Sequence, residues 1–207
     1  MAYSFTSAKT YTLAGVTYAS GTVELTGPGI ESVSQDLAVA WPGSLTTRTD
    51  NNTGTITMTD AGHLILTGSR VDIYWTNTDG TFGCQRAVTV GTVVTTSVPF
   101  DLGIGDNLPT QGSAVIVAIS QQFTFSFTGN NVKALAIGCD GRATVVLASG
   151  TVTEELAKVF TTASAYGWTS SDSETNPISG DTITFVYMSQ ASTTATKNVR
   201  VGVLKIA

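Results

Sequence analysis

The sequence predicts an all-β protein, a short-stranded β-barrel or β-sandwich arranged as two β domains in tandem, residues 1–120 and 121–207, with at most one short helix. Three observations carry this. Thr is the commonest residue and Gly occurs 21 times, while Glu, Lys, Gln and Arg, the good helix formers, are scarce; that balance favours pleated structure and tight turns. Short segments of alternating apolar and polar residues recur between clusters of Gly, Asn and Asp, at the spacing of strands in a small barrel or sandwich. Only Thr153–Phe160 reads as a helix, with Thr153 as its N-cap and Glu154-Glu155 in its first turn.

Taken in order, Thr10–Leu13, Thr22–Leu25 and Leu37–Trp41 are expected strands, separated by Gly15, Gly21 and Gly27-Pro28-Gly29. Arg48-Thr49-Asp50-Asn51-Asn52-Thr53-Gly54 is turn chemistry, and Thr55–Thr59 after it alternates as the second arm of a hairpin. In Val71-Asp72-Ile73-Tyr74-Trp75 the period of two sets Val71, Ile73 and Trp75 on one face. Asn77-Thr78-Asp79-Gly80 then turns the chain, Val88, Val90 and Val93 supply a facing wall, and Gly91 allows a bend or bulge between them. Residues 101–109 read as a loop, and Ala114–Ile119 and Phe123–Phe127 as strands. A domain boundary is expected at Ser120-Gln121-Gln122, in preference to the turn Gly129-Asn130-Asn131 after the aromatic strand. Beyond it, Val132–Ile137, Ala143–Leu147, Thr182–Met188 and Val199–Ile206 are the expected strands of a C-terminal sandwich, with Ser170–Gly180 a long exposed loop.

Composition bounds the function. Charged residues make up 12 % of the chain, against about 25 % in an ordinary globular protein. Thr, Ser, Asn, Gly and Ala are left to form the exterior, and such a surface tolerates being packed against neighbours. A net charge of −5 with ten scattered basic residues argues against a nucleic-acid groove. No apolar run reaches the roughly 18–20 residues that span a bilayer, and the start lacks a basic region followed by an apolar one. The expectation is synthesis in the cytoplasm without a signal peptide, and no membrane partner.

The chemistry-bearing residues do not assemble into a catalytic set. His63 is the single histidine, with no Gly-x-Ser-x-Gly elbow to serve; its expected role is a hydrogen bond to a turn or to the opening of a strand. Asp101 and Asp106 flank a Gly-rich loop without the alternating ligand spacing of a calcium loop. Asp172 and Glu174 lie in a polar loop with no apolar pocket to tune them as acid and base. Gly103-Ile104-Gly105 lacks the following helix a phosphate cradle needs. Cys84 and Cys139 have no metal or redox spacing and are expected to be reduced core thiols, whether or not they could pair. Asn51-Asn52-Thr53 matches a glycosylation tripeptide but reads better as a turn. Trp41, Trp75 and Trp168 could pack in a core or line a sugar-binding face. The expectation is therefore no enzyme, no catalytic residues, no cofactor and no metal.

One block resembles a known kind of protein. Gly62-His63, Thr67-Gly68-Ser69-Arg70-Val71-Asp72-Ile73-Tyr74-Trp75, Val88-Thr89-Val90-Gly91-Thr92-Val93, Ser97-Val98-Pro99 and Gly105-Asp106-Asn107-Leu108-Pro109 are similar to a module of structural proteins, capsid-associated or tail-associated, of tailed-bacteriophage virions. The likeness covers residues 62–118 only, rests on strand and turn patterns, and departs where Gly62-His63-Leu64 stands in place of Gly-His-Gly. It implies a virion protein that binds copies of itself and other virion proteins such as the major capsid protein. A head-decoration or cement protein is favoured over a tail or head-tail connector component, and a carbohydrate- or receptor-binding β module using Tyr166 or Trp168 is the alternative of another class.

Overall fold

The computed structural model describes residues 9–13, 16–20, 22–24, 29–126, 131–149, 153–169 and 185–206. Its strands are β1 (Lys9–Leu13), β2 (Val16–Ser20), β3 (Thr22–Glu24), β4 (Gly29–Leu37), β5 (Trp41–Arg48), β6 (Gly54–Met58), β7 (Arg70–Thr76), β8 (Phe82–Val90), β9 (Ser97–Asp101), β10 (Ile104–Gly105), β11 (Ala114–Ile119), β12 (Gln121–Ser126), β13 (Asn131–Cys139), β14 (Ala143–Ser149), β15 (Thr153–Phe160), β16 (Ser164–Thr169), β17 (Phe185–Gln190) and β18 (Lys197–Ile206). The described residues contain no helix, and the protein is all-β.

Two sequence expectations are corrected here. Thr153–Phe160 is strand β15, paired antiparallel with β14 from Ala143↔Phe160 to Ser149↔Thr153, with a register shift at Leu147/Ala148. One N-cap residue and two glutamates do not hold a helix against a partner strand that satisfies the same backbone groups. Leu37–Trp41 is not one strand: β4 ends at Leu37 and β5 begins at Trp41, with residues 38–40 outside both.

The chain divides into two compact units, residues 38–120 with 189–196, and residues 1–37 with 121–188 and 197–207. They do not follow each other in tandem as 1–120 and 121–207. Strand β4 pairs antiparallel with β18 along its length, and β3 pairs in parallel with β12, so the N-terminal strands belong to the same sheets as the C-terminal ones. Among the described residues that unit has sheets ordered β15-β14-β17-β12-β3 and β16-β13-β18-β4, and the hairpin β1-β2.

The other unit is a closed barrel. Its antiparallel strands run β8-β7-β11-β5-β6-β9, and β9 returns to β8 through Thr89↔Asp101 and Val90↔Phe100. Closure removes the open edges that a sheet of this length otherwise exposes. Inside lie Leu45, Ile56, Met58, Val71, Ile73, Trp75, Val88, Val90, Val98, Phe100, Val115 and Val117, joined by Ile65 and Leu108 from connecting segments. The alternation read from β7 is therefore correct, and Val93 is packed at the margin of this core.

The other face of β7 is buried as well. Asp72 is 1 % exposed and Tyr74 is 0 % exposed, although both point away from the interior side chains. Ser189 covers them: its hydroxyl donates to Asp72 Oδ2 at 2.5 Å, and Tyr74 OH lies 2.5 Å from the same Oγ. The neighbouring Gln190 secures this short segment, its Nε2 donating to the carbonyl of Ala38 at 2.6 Å while Ala40 N–H donates to Ser192 O.

The β7–β8 pair carries a bulge at Arg86-Ala87, where Val71↔Val88 gives way to Ile73↔Gln85. Ala87 takes φ 57°, unusual for a residue with a side chain, and its N–H donates to Asp72 Oδ1 at 3.0 Å. The extra residue shifts the phase of β8. Gln85, opposite Ile73, consequently turns its side chain toward the barrel interior.

Candidate functional site

Strand directions place the connections 49–53, 77–81 and 102–113 at one end of the barrel. The connections 59–69 and 91–96 lie at the other end, where the chain also enters and leaves. The first of these ends carries an open cleft of about 440 Å³ lined by Asp50, Asn51, Asn52, Thr53, Asp101 and Leu102.

The β5–β6 turn builds one wall. Asp50 Oδ1 accepts from the N–H groups of Asn52 at 2.7 Å and Thr53 at 2.8 Å, an Asx arrangement that a short carboxylate makes without help from the rest of the fold. Arg48 extends from the end of β5, its Nη2 donating to Asn51 Oδ1 at 2.6 Å and its Nε to Leu108 O at 3.3 Å. The opposite wall is the end of β9. Asp101 Oδ1 accepts from Thr53 Oγ1 and from Leu102 N–H, both at 2.7 Å. Leu102 itself has φ 62° and is 73 % exposed.

Below both walls lies Gln85, 0 % exposed. Its Nε2 donates to Asn51 O at 3.3 Å and Asn52 Oδ1 at 3.1 Å, while its Oε1 has no partner. A Cβ at Gly103 would overlap the Gln85 amide, so glycine at that position lets the loop close over it. Asp106 anchors the far side of the same loop, with Oδ2 accepting from Cys84 N–H at 3.0 Å.

The Asp50 carboxyl is held below its ordinary value of 3.8, first by the Asn52 N–H and then by that of Thr53. A depressed folded value means that the turn's stabilisation is present above the ordinary carboxylate range and is lost as the pH falls through the lower, folded value. Carboxyl-detected NMR is therefore expected to give Asp50 a midpoint below 3.8, with the Asn52 and Thr53 amide signals moving in step. A midpoint at or above the ordinary value contradicts the Asx geometry. Asp79 behaves likewise, lowered by the Thr81 hydroxyl and then the Thr81 N–H in the Asn77–Thr81 turn.

The remaining chemistry-bearing residues are dispersed. His63, 9 % exposed, meets Thr95 O through Nε2 at 2.9 Å, holding a loop whose Thr95 has φ 49°; this is the turn contact expected of it. Asp101 lines the cleft, whereas Asp106 is spent on the Cys84 backbone. Cys84 and Cys139 are buried free thiols in different units, and burial raises the Cys139 pKa. Trp75 belongs to the barrel core and Trp41 packs against it. Trp168 pairs with Leu135 through its backbone. Asp172, Glu174 and the expected loop Ser170–Gly180 lie outside the described residues. Among the described residues no three His, Cys, Asp or Glu side chains cluster as metal ligands, and no helix is long and apolar enough to cross a membrane.

The Asn51-Asn52-Thr53 turn and the Asp101–Gly105 loop were each legible as local turn chemistry. Their meeting was not, because the barrel brings them together through β6–β9 and β8–β9 pairing, as in Gly54↔Phe100 and Val90↔Phe100. Gln85 gave no signal at all, since its inward direction follows from the bulge at Arg86-Ala87 beside it. No protein-family model matches the chain, and comparison with curated proteins finds no match.

Proposed function

We propose that this chain is a structural protein of a bacteriophage virion, with a head-decoration or cement role favoured over a tail or head-tail connector role. The observation that carries the reading is the charge deficit: 12 % charged residues in an all-β chain of 207 residues. Surfaces meant to stay apart in solution are usually dressed with Lys, Glu, Asp and Arg, whereas surfaces that lie against copies and companions do well with Thr, Ser, Asn and Ala. The barrel adds apolar side chains on its exterior, with Leu66, Phe82, Val94, Leu102 and Ile104 all exposed. A symmetric shell multiplies weak contacts of this kind, so that each copy needs no deep pocket to stay bound. The resemblance of residues 62–118 to virion modules supports the same reading, with the major capsid protein and further copies of this chain as partners.

Purified particles examined by quantitative mass spectrometry are expected to contain the protein at a copy number set by shell or tail symmetry. Protein found only in the soluble lysate, with intact particles free of it, overturns the proposal.

A further inference from the structure

We infer that Asp140-Gly141 is a site of spontaneous isoaspartate formation in the folded chain, while the identical dipeptide Asp79-Gly80 is protected by the hydrogen bonds of its turn. The inference concerns chemistry that the chain performs on itself and stands whether or not it belongs to a virion.

Aspartate followed by glycine is the pairing most open to this reaction, because glycine leaves the attacking nitrogen unshielded and the backbone free to bring it round. The sequence contains Asp-Gly twice and Asn-Gly not at all. In the first step the Gly141 nitrogen attacks Cγ of Asp140. A C–N bond forms, the nitrogen gives up its proton, and a carboxyl oxygen departs as water, leaving a five-membered succinimide. Solvent water then opens the ring. Attack at the side-chain carbonyl restores aspartate, whereas attack at the main-chain carbonyl leaves the chain running through Cβ and Cγ, one methylene longer. The water lost in the first step is returned in the second, so the net change is an isomerisation.

At Asp79 both reacting groups are already committed. Its Oδ1 accepts from Thr81 N–H at 2.9 Å and from Thr81 Oγ1 at 2.6 Å, and the Gly80 N–H donates to Asn77 O at 3.0 Å. Asn77 N–H in turn donates to Thr81 O at 2.8 Å, which closes the loop around them. The Thr81 donors also hold the Asp79 carboxyl below its ordinary value, which favours the anion, a form with no hydroxyl to lose.

At Asp140 neither group is held in this way. The residue is exposed, and its carboxylate accepts no hydrogen bond from the described residues. The Gly141 N–H donates to Cys139 Sγ at 3.2 Å, and sulfur is a weak acceptor. Residues 140–142 link β13 in one sheet to β14 in the other, so the added methylene lengthens the connection between two sheets.

The test incubates the full chain at body temperature and mildly acid pH, once folded and once in concentrated urea. Tryptic peptides 134–142 and 71–86 are then separated, and electron-transfer fragmentation assigns the isoaspartate; labelling by a protein-isoaspartate methyltransferase gives an independent total. In the folded chain Asp140 is expected to isomerise at least about tenfold faster than Asp79, the rate equivalent of one charge-assisted hydrogen bond that must break before attack. In urea the two rates become comparable. Thr81→Val removes the hydroxyl donor and is expected to raise the Asp79 rate several-fold while leaving Asp140 unchanged. The proposal is overturned if Asp79 isomerises as fast as Asp140 in the folded chain, or if Asp140 stays intact there while the unfolded chain reacts. A difference that persists in urea also overturns it, because the cause then lies in the flanking sequence and not in the fold.

Discussion

Asp72→Ala is expected to destabilise the barrel by about 3–5 kcal/mol, measured as a fall in the urea midpoint at unchanged slope. Asp72 is 1 % exposed, and its two oxygens satisfy different parts of the fold: Oδ1 takes the Ala87 N–H at the bulge, and Oδ2 takes the Ser189 hydroxyl. Alanine strands both donors away from water, and each stranded donor costs about 1–3 kcal/mol. Loss of a buried charge returns part of this through relieved desolvation, which is why the conservative variant is informative. Asp72→Asn keeps an acceptor for Ala87 and can reorient the Ser189–Tyr74 pair, so it is expected to cost about 1 kcal/mol. Ser189→Ala acts on the same network from the other side. Its effect and that of Asp72→Ala are expected to sum to more than the double variant loses, because either change alone already breaks the shared bond. Strict additivity in that cycle shows that Ser189 does not hold the Asp72 face.

The same network shows what the sequence can and cannot reveal. Val71, Ile73 and Trp75 were readable as an interior face because the period of two is a local property of the backbone. That Asp72 and Tyr74 are equally buried was not, because their cover is Ser189, 117 residues beyond Asp72. An aspartate alternating with core residues carries the pattern of a wet face. The bulge at Arg86-Ala87 was not readable for a related reason: nothing local marks Ala87, which adopts φ 57° because Asp72 rewards it with a hydrogen bond. Thr153–Phe160 has a helical N-cap but forms β15, since pairing with β14 outweighs a weak local preference. In the candidate site, the Asx turn at Asp50 was local and legible. The cleft depended on strand pairing and on the inward turn of Gln85, neither of which a linear pattern contains.

Gly83→Ala is expected to be among the most damaging of single-atom additions, at about 2–4 kcal/mol. Trp75 and Gly83 are paired across β7 and β8 and so face the same side, the interior. The indole packs against Gly83, and a Cβ there would overlap its ring atoms Cε2, Nε1 and Cζ2. The ring has little freedom to retreat, being 3 % exposed and tied through Nε1 to Asn77 Oδ1 at 3.1 Å. The obstacle is thus the ring and not the backbone, and it can be removed. Trp75→Leu alone costs about 3 kcal/mol through lost burial and the cavity it leaves. In the Trp75→Leu background the alanine at position 83 has room, and part of the cavity is filled, so its further cost is expected to fall below about 1 kcal/mol. Calorimetric unfolding of the four proteins in this cycle measures the coupling directly. An alanine penalty at Gly83 that persists undiminished without the indole places the constraint in the β8 backbone and removes Trp75 as its cause.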